Sequence, residues 1–236
     1  MINLETLEKG LNKYAEMIGQ EQDLVNNHQE ARITIYESLI AGSLVLRARK
    51  RNPDIENSKL VPMITAIITW LRGTDFYTCP ASTKYHESFH GGLLLHTLRV
   101  YNKMIELHQL KSFSKVDLGS ATLVALTHDW CKIGRYESYL KNEKNKTTGQ
   151  WEEKLAYKIS DKSLGLGHGP QSLMMISQFC TSSLSTLTFD EMAAIRWHMY
   201  TYDVTSYDIN DLNRCQNKIP LVTLTQFADQ LAASEG

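Results

Sequence analysis

The stretch Leu123–Lys132, LVALTHDWCK, sets a histidine beside an aspartate at the end of an apolar run. Such a run reads as a helix buried on most of its sides. Aspartate is a poor helix former and is rarely buried without a partner. A neutral imidazole and a carboxylate share one kind of partner, a metal cation. His128 and Asp129 are therefore the first candidate ligands.

Reading outward, His96 lies 32 residues before His128, in GGLLLHTLRVY. His168 follows Asp129 by 39 residues, in the glycine-rich turn GLGHGP. His198 ends MAAIRWH 30 residues later, and Asp229 lies 31 further on, in TQFADQL. Each residue comes from a separate segment, which is how a helical bundle builds an internal metal site. Imidazoles mixed with carboxylates suit Mn, Fe, Co, Ni or Zn, with Mg as a harder option. Asp129 has two oxygens and can bridge two cations, which one imidazole nitrogen cannot do. Two divalent ions against two aspartates leave a cationic site that attracts phosphate and acidifies bound water. One ion and two ions both satisfy this set.

Apolar spacing at three and four residues predicts helices over about 3–18, 33–51, 60–71, 91–110, 116–131, 170–183, 189–200 and 218–234. One segment departs from that pattern. In RYESYLKNEKNKTTGQWEEKLAYKI, aromatic and apolar residues flank a polar turn, which predicts a β-hairpin over about 135–141 and 150–158. The fold class expected is all-α: a helical bundle with a small hairpin excursion. Pro53 and the polar residues around it mark a boundary, so residues 1–55 read as an N-terminal helical extension and 56–236 as the main domain. Leu4, Leu7, Leu11, Tyr14 and Ile18 form a stripe that either dimerises the chain or packs back on the core. The basic run RARKR, 47–51, either grips phosphate or is a solvated helix end suited to the dipole.

Composition narrows the classes further. The chain has 236 residues, 42% hydrophobic and 22% charged, with 25 basic against 26 acidic side chains. That balance advertises neither a nucleic-acid track nor a membrane surface. The amphipathic, charged start lacks a signal-peptide pattern, and no run of 18 apolar residues predicts a span. Cys79, Cys131, Cys180 and Cys215 form no CxxC pair, which fits reduced thiols and a cytoplasmic location.

The order His96, His128-Asp129, His168, His198, Asp229 resembles the HD superfamily of metal-dependent phosphohydrolases, in its two-metal H…HD…H…H…D form. Over about residues 60–235, the stretches PASTKYH, HGGLLLHTLRV, ALTHDWCK, LGHGPQS, RWH and FADQL are most similar to small bacterial and phage HD proteins. They are more loosely similar to the HD part of 3′-to-5′ exoribonucleases. The resemblance implies that His96, His128, Asp129 and Asp229 hold one metal, and that His168 and His198, sharing Asp129, hold a second. It also implies that Lys132, in His-Asp-x-x-Lys, binds phosphate, so that Asp129 and Lys132 are the catalytic pair. The alternative that His90 replaces His96 as ligand stays open.

Ser82, Thr83, His86 and His90 precede the first ligand helix and are candidates to line a substrate mouth. His86 and His90, spaced i, i+4, also suit a separate metal pair. Arg196 suits either phosphate binding or an ion pair. The GxGxG string around His168 follows no βαβ strand, so it reads as a tight turn and not a nucleotide loop. The function expected is metal-dependent hydrolysis of a phosphoester or phosphoanhydride in a nucleotide, cyclic nucleotide or oligonucleotide. The same ligand pattern also resembles HD-fold di-iron oxygenases acting on a small diol or phosphonate, and a non-catalytic metal- or nucleotide-binding module is the third alternative.

Overall fold

The computed structural model describes residues 28–163, 165–180 and 186–235. The expected helix over 3–18 and its stripe lie outside these residues. Eight α-helices and one antiparallel pair of strands make up the described regular structure, with two short 3₁₀ turns. They are α1 (Gln29–Arg51), α2 (Asn57–Arg72), α3 (Gly92–His108), α4 (Leu118–Thr127), β1 (Tyr136–Lys144), β2 (Trp151–Ile159), α5 (His168–Ser177), α6 (Phe189–Trp197), α7 (Ile209–Lys218) and α8 (Pro220–Ser234).

The helix α4 is the axis of the bundle. Its sequence LGSATLVALT is apolar or small around its circumference, and Gly119 and Ala121–Thr127 are all buried. A helix with no polar face is stable only when surrounded; α1, α3, α6 and α8 all pack on it. Asp117 starts it, accepting a hydrogen bond from the Ser120 N–H at 2.9 Å. It ends at Thr127, earlier than apolarity alone predicted, because Asp129 leaves helical geometry (φ −107°, ψ 19°) and a 3₁₀ turn, Trp130–Lys132, follows.

The segment expected as an extension contributes α1, whose Tyr36, Leu39, Ile40 and Leu44 belong to the same core as α4. The Tyr36 hydroxyl donates to the Leu126 carbonyl at 2.8 Å and accepts from Trp130 Nε1 at 3.0 Å. At its other end Arg47 forms a bidentate pair with Glu191 on α6, at 2.5 and 2.6 Å, with both side chains almost wholly buried. The RARKR run is thus neither a free phosphate grip nor a purely solvated end: Arg47 is committed to Glu191, and Lys50 pairs with Asp117 at 2.5 Å.

The hairpin forms, with β1 and β2 in register from Tyr136↔Ile159 to Lys144↔Trp151. It is longer than expected because Asn142, Glu143 and Lys144 continue the ladder despite being polar. The Asn145 side chain closes the turn by accepting from the N–H groups of Thr147 and Thr148. Two helices begin at strong local signals. Thr188 and Glu191 form a reciprocal capping box on α6, and Pro220 stands at the first turn of α8. The helix α7 was not expected: INDLNRCQNK is mostly polar and buries one side chain fully, Leu212.

Candidate metal centre

Five segments converge at the end of α4. His96 sits on α3; His128 and Asp129 directly follow α4; His168 is the first residue of α5; His198 directly follows α6; Asp229 is on α8. His96, His128 and His198 are buried, as is Asp129. The potential ligand atoms of His96, His128 and Asp229 lie within 4.8 Å of one another, and so do those of Asp129, His168 and His198.

Asp129 joins the two sets. Its Oδ2 is 3.4 Å from His128 Nε2 and 3.6 Å from His96 Nε2. Its Oδ1 is 3.5 Å from His198 Nε2 and 3.8 Å from His168 Nδ1. Asp229 Oδ1 completes the first set, 3.0 Å from His96 Nε2 and 3.8 Å from His128 Nε2. The structure thus brings together all six residues that the sequence proposed as ligands. His90, the alternative to His96, is exposed and belongs to none of the ligand clusters among the described residues.

Two of the imidazoles are aimed by the same local device. His128 Nδ1 donates to the Ala125 carbonyl at 2.8 Å, and His198 Nδ1 donates to the Ile195 carbonyl at 2.8 Å. Each histidine lies just past a helix end, where carbonyls three residues back lack intrahelical partners. A carbonyl only accepts, so Nδ1 carries the hydrogen and Nε2 is turned toward Asp129 as a lone-pair donor. His128 Nε2, His198 Nε2 and His168 Nδ1 are buried and make no hydrogen bond. Buried polar atoms are normally paired; three facing one carboxylate fit a bound cation by donor type and by their missing partners.

Lys132 also faces the bridging carboxylate. Lys132 Nζ lies 2.7 Å from Asp129 Oδ2. The 3₁₀ turn accounts for this, since residues three apart eclipse one another in that geometry. Burial by itself raises the Asp129 pKa, but Lys132 and the facing histidines hold it well below the usual carboxylate range. Burial likewise works against charge on His96, yet its hydrogen bond to Asp229 and the nearby Glu87 carboxylate raise its pKa to about 9. Cys131 Sγ approaches Asp129 Oδ1 at 3.8 Å, and burial pushes its thiol up to about 12, so it stays a thiol.

The loop before α3 forms one wall. Gly92 permits it: a Cβ there would stand 1.9 Å from the Glu87 carbonyl oxygen. Within the loop, Ser82 Oγ donates to the His86 carbonyl and accepts from the Tyr85 N–H, both at 2.8 Å, so its hydroxyl shapes the turn. Thr83 is half-buried on the same loop. His86 packs its ring on His96, centroids 4.6 Å apart; burial and the neighbouring His96 lower its pKa to about 4, which keeps it neutral. Arg196 is engaged elsewhere, bonded to the Asp203 carbonyl at 3.3 Å and stacked 4.0 Å over Trp197.

Two residues near the site were not singled out from the sequence. Glu87 is buried with Oε2 3.6 Å from His96 Nδ1, and Arg99 pairs with its other oxygen. The only sequence signal was an acid inside HESFH and an arginine one turn after His96. No family model matches this chain, and neither the curated proteins nor the solved structures contain a match to it.

Proposed function

We propose that this chain is an HD-type metal-dependent phosphohydrolase acting on nucleotides or short oligonucleotides. The observation that carries the reading is Asp129, whose two oxygens face two different sets of histidines while Lys132 stands against it. One metal would be held by His96, His128, Asp129 and Asp229, and a second by His168, His198 and Asp129. The mixed nitrogen and oxygen donors suit Mn, Fe, Co, Ni or Zn. Such ions supply Lewis-acid polarisation of a phosphoryl oxygen and lower the pKa of water.

The chain's own residues do the rest. The Ala125 and Ile195 carbonyls orient His128 and His198 so that each Nε2 faces Asp129. Lys132 is a buried ammonium, and beside Asp129 its pKa rises above the usual lysine value despite the opposing effect of burial. It remains charged across the working pH range. A phosphate drawn to Asp129's side of the site meets that charge, which stabilises negative charge developing on the phosphoryl oxygens. Neutral His86 lines the same wall and offers a hydrogen bond without adding charge. Arg196 has no part in this assignment, being held by Asp203 and Trp197.

The test is hydrolysis of a nucleotide and oligonucleotide panel by purified protein with Mn²⁺, beside Asp129→Ala. Metal-dependent release of phosphate or nucleotide, absent in the variant, is the expected result and identifies the substrate. A protein that binds iron with a visible charge-transfer band and hydrolyses nothing would overturn it in favour of an oxygenase. One that binds no metal and hydrolyses nothing would leave a binding module.

A further inference from the structure

His96 Nδ1, Glu87 Oε2 and His86 Nε2 are buried atoms without a hydrogen-bond partner, and His96 Nδ1 lies 3.6 Å from Glu87 Oε2. One ligand atom from each of His86, Glu87 and His96 lies within 4.8 Å of the others. His96 Nε2, on the opposite edge of the ring, already faces Asp229 and Asp129. The ring is therefore divided, one nitrogen toward the metal centre and one toward Glu87. Glu87 is fixed from several directions. Its Oε1 pairs with Arg99, and its carbonyl accepts the Ala81 N–H at 3.1 Å. Its backbone adopts φ +43°, a left-handed conformation uncommon outside glycine. Gly92 permits that backbone, because a Cβ there would collide with the Glu87 carbonyl. A costly conformation maintained by its surroundings marks a carboxylate whose position matters.

We propose that Glu87 is a positioning residue: held by Arg99, it accepts the Nδ1 hydrogen of His96 and so reserves Nε2 for the metal. The inference rests on the reading of His96 as a ligand. A cation seated among His86, Glu87 and His96 is the competing use of the same atoms. The pairing of Glu87 with Arg99 disfavours it, since the negative charge there is already neutralised. It would also require His96 to bind metal through both nitrogens and to lose both ring protons.

Glu87→Gln separates these uses by chemistry. Arg99 only donates hydrogen bonds, so it selects the amide oxygen and turns the NH₂ group toward His96. An NH₂ group facing Nδ1 donates to it, moving the ring hydrogen onto Nε2 and blocking that nitrogen as a ligand. The measurements are Co²⁺ titration of the purified full chain and long-range ¹H–¹⁵N NMR of the histidine rings, with circular dichroism as the folding control. Wild type is expected to hold His96 as the Nδ1–H form when loaded with Zn²⁺. The variant should show Nε2–H and bind Co²⁺ about 10–100-fold more weakly.

Unchanged affinity with Nδ1–H retained in a folded Glu87→Gln variant overturns the proposal. Three metal equivalents in wild type falling to two in the variant also overturns it, in favour of the third cation. If Glu87→Gln does not fold, Arg99→Met leaves the carboxylate but removes its anchor; about tenfold weaker Co²⁺ binding supports the proposal and equal binding overturns it. Wild type that binds no metal fails the parent reading instead, so the two failures are distinguishable.

Discussion

At the scale of single residues, the candidate centre is a set of opposite charges in close contact. Asp229 bonds His96 at 3.0 Å and Lys132 bonds Asp129 at 2.7 Å. This gives pH a definite sign. The folded pKa of His96, about 9, lies above the ordinary 6.5, so its stabilising contribution is whole below 6.5 and is lost as pH rises through 9. A metal bound through His96 Nε2 would displace that proton. Apparent affinity should therefore climb with pH from 6.5 and level off near 9, with protons released on binding. Calorimetric titration near neutral pH in two buffers of different ionisation enthalpy reads that release directly. Identical binding heats in both buffers would rule out proton displacement.

Among elements, α1 and α6 are joined by the Arg47–Glu191 pair across the flank of α4. The Glu191 carboxylate also accepts the Thr188 N–H at 2.7 Å, so one side chain caps α6 and anchors α1. Removing one partner of a buried pair leaves an uncompensated charge, which costs about 3–5 kcal/mol. Arg47→Met should lose stability of that order in a urea melt. Arg47→Met combined with Glu191→Leu should recover part of it, since no lone charge remains. A single variant as stable as wild type would show that the pair holds nothing together. Because α6 ends at the carbonyl that aims His198, loosening it should also weaken metal binding.

For the whole molecule, the candidate ligands come from segments that only the folded state assembles, so a metal held by them would bind the native chain in preference to the unfolded one. Free metal at about a thousand times its Kd then adds about 4 kcal/mol of stability. In a domain of this size that corresponds to a rise of about 10 °C in the melting midpoint. Differential scanning fluorimetry with Mn²⁺ or Zn²⁺ should show the rise, EDTA should reverse it, and Asp129→Ala should lack it. A wild-type midpoint that ignores every transition metal would sink the metal centre itself.

By itself the sequence determined the helical class, the hairpin, a buried helix leading into His128-Asp129, and six candidate ligands drawn from five separated segments. These are local signals: periodicity, capping residues and side-chain chemistry all act within a few residues. The polar helix α7 escaped because its apolar stripe is too narrow to register, Leu212 being its one fully buried side chain. Tertiary structure alone decided which Asp129 oxygen faces which histidines, and that Arg196 is spent on Asp203 and Trp197. It also decided that Glu87 and Arg99 stand behind His96. The physical reason is distance along the chain. The five segments that carry the candidate ligands are 30 or more residues apart, and their meeting is fixed by how α3, α5, α6 and α8 pack around the end of α4, which no local pattern encodes.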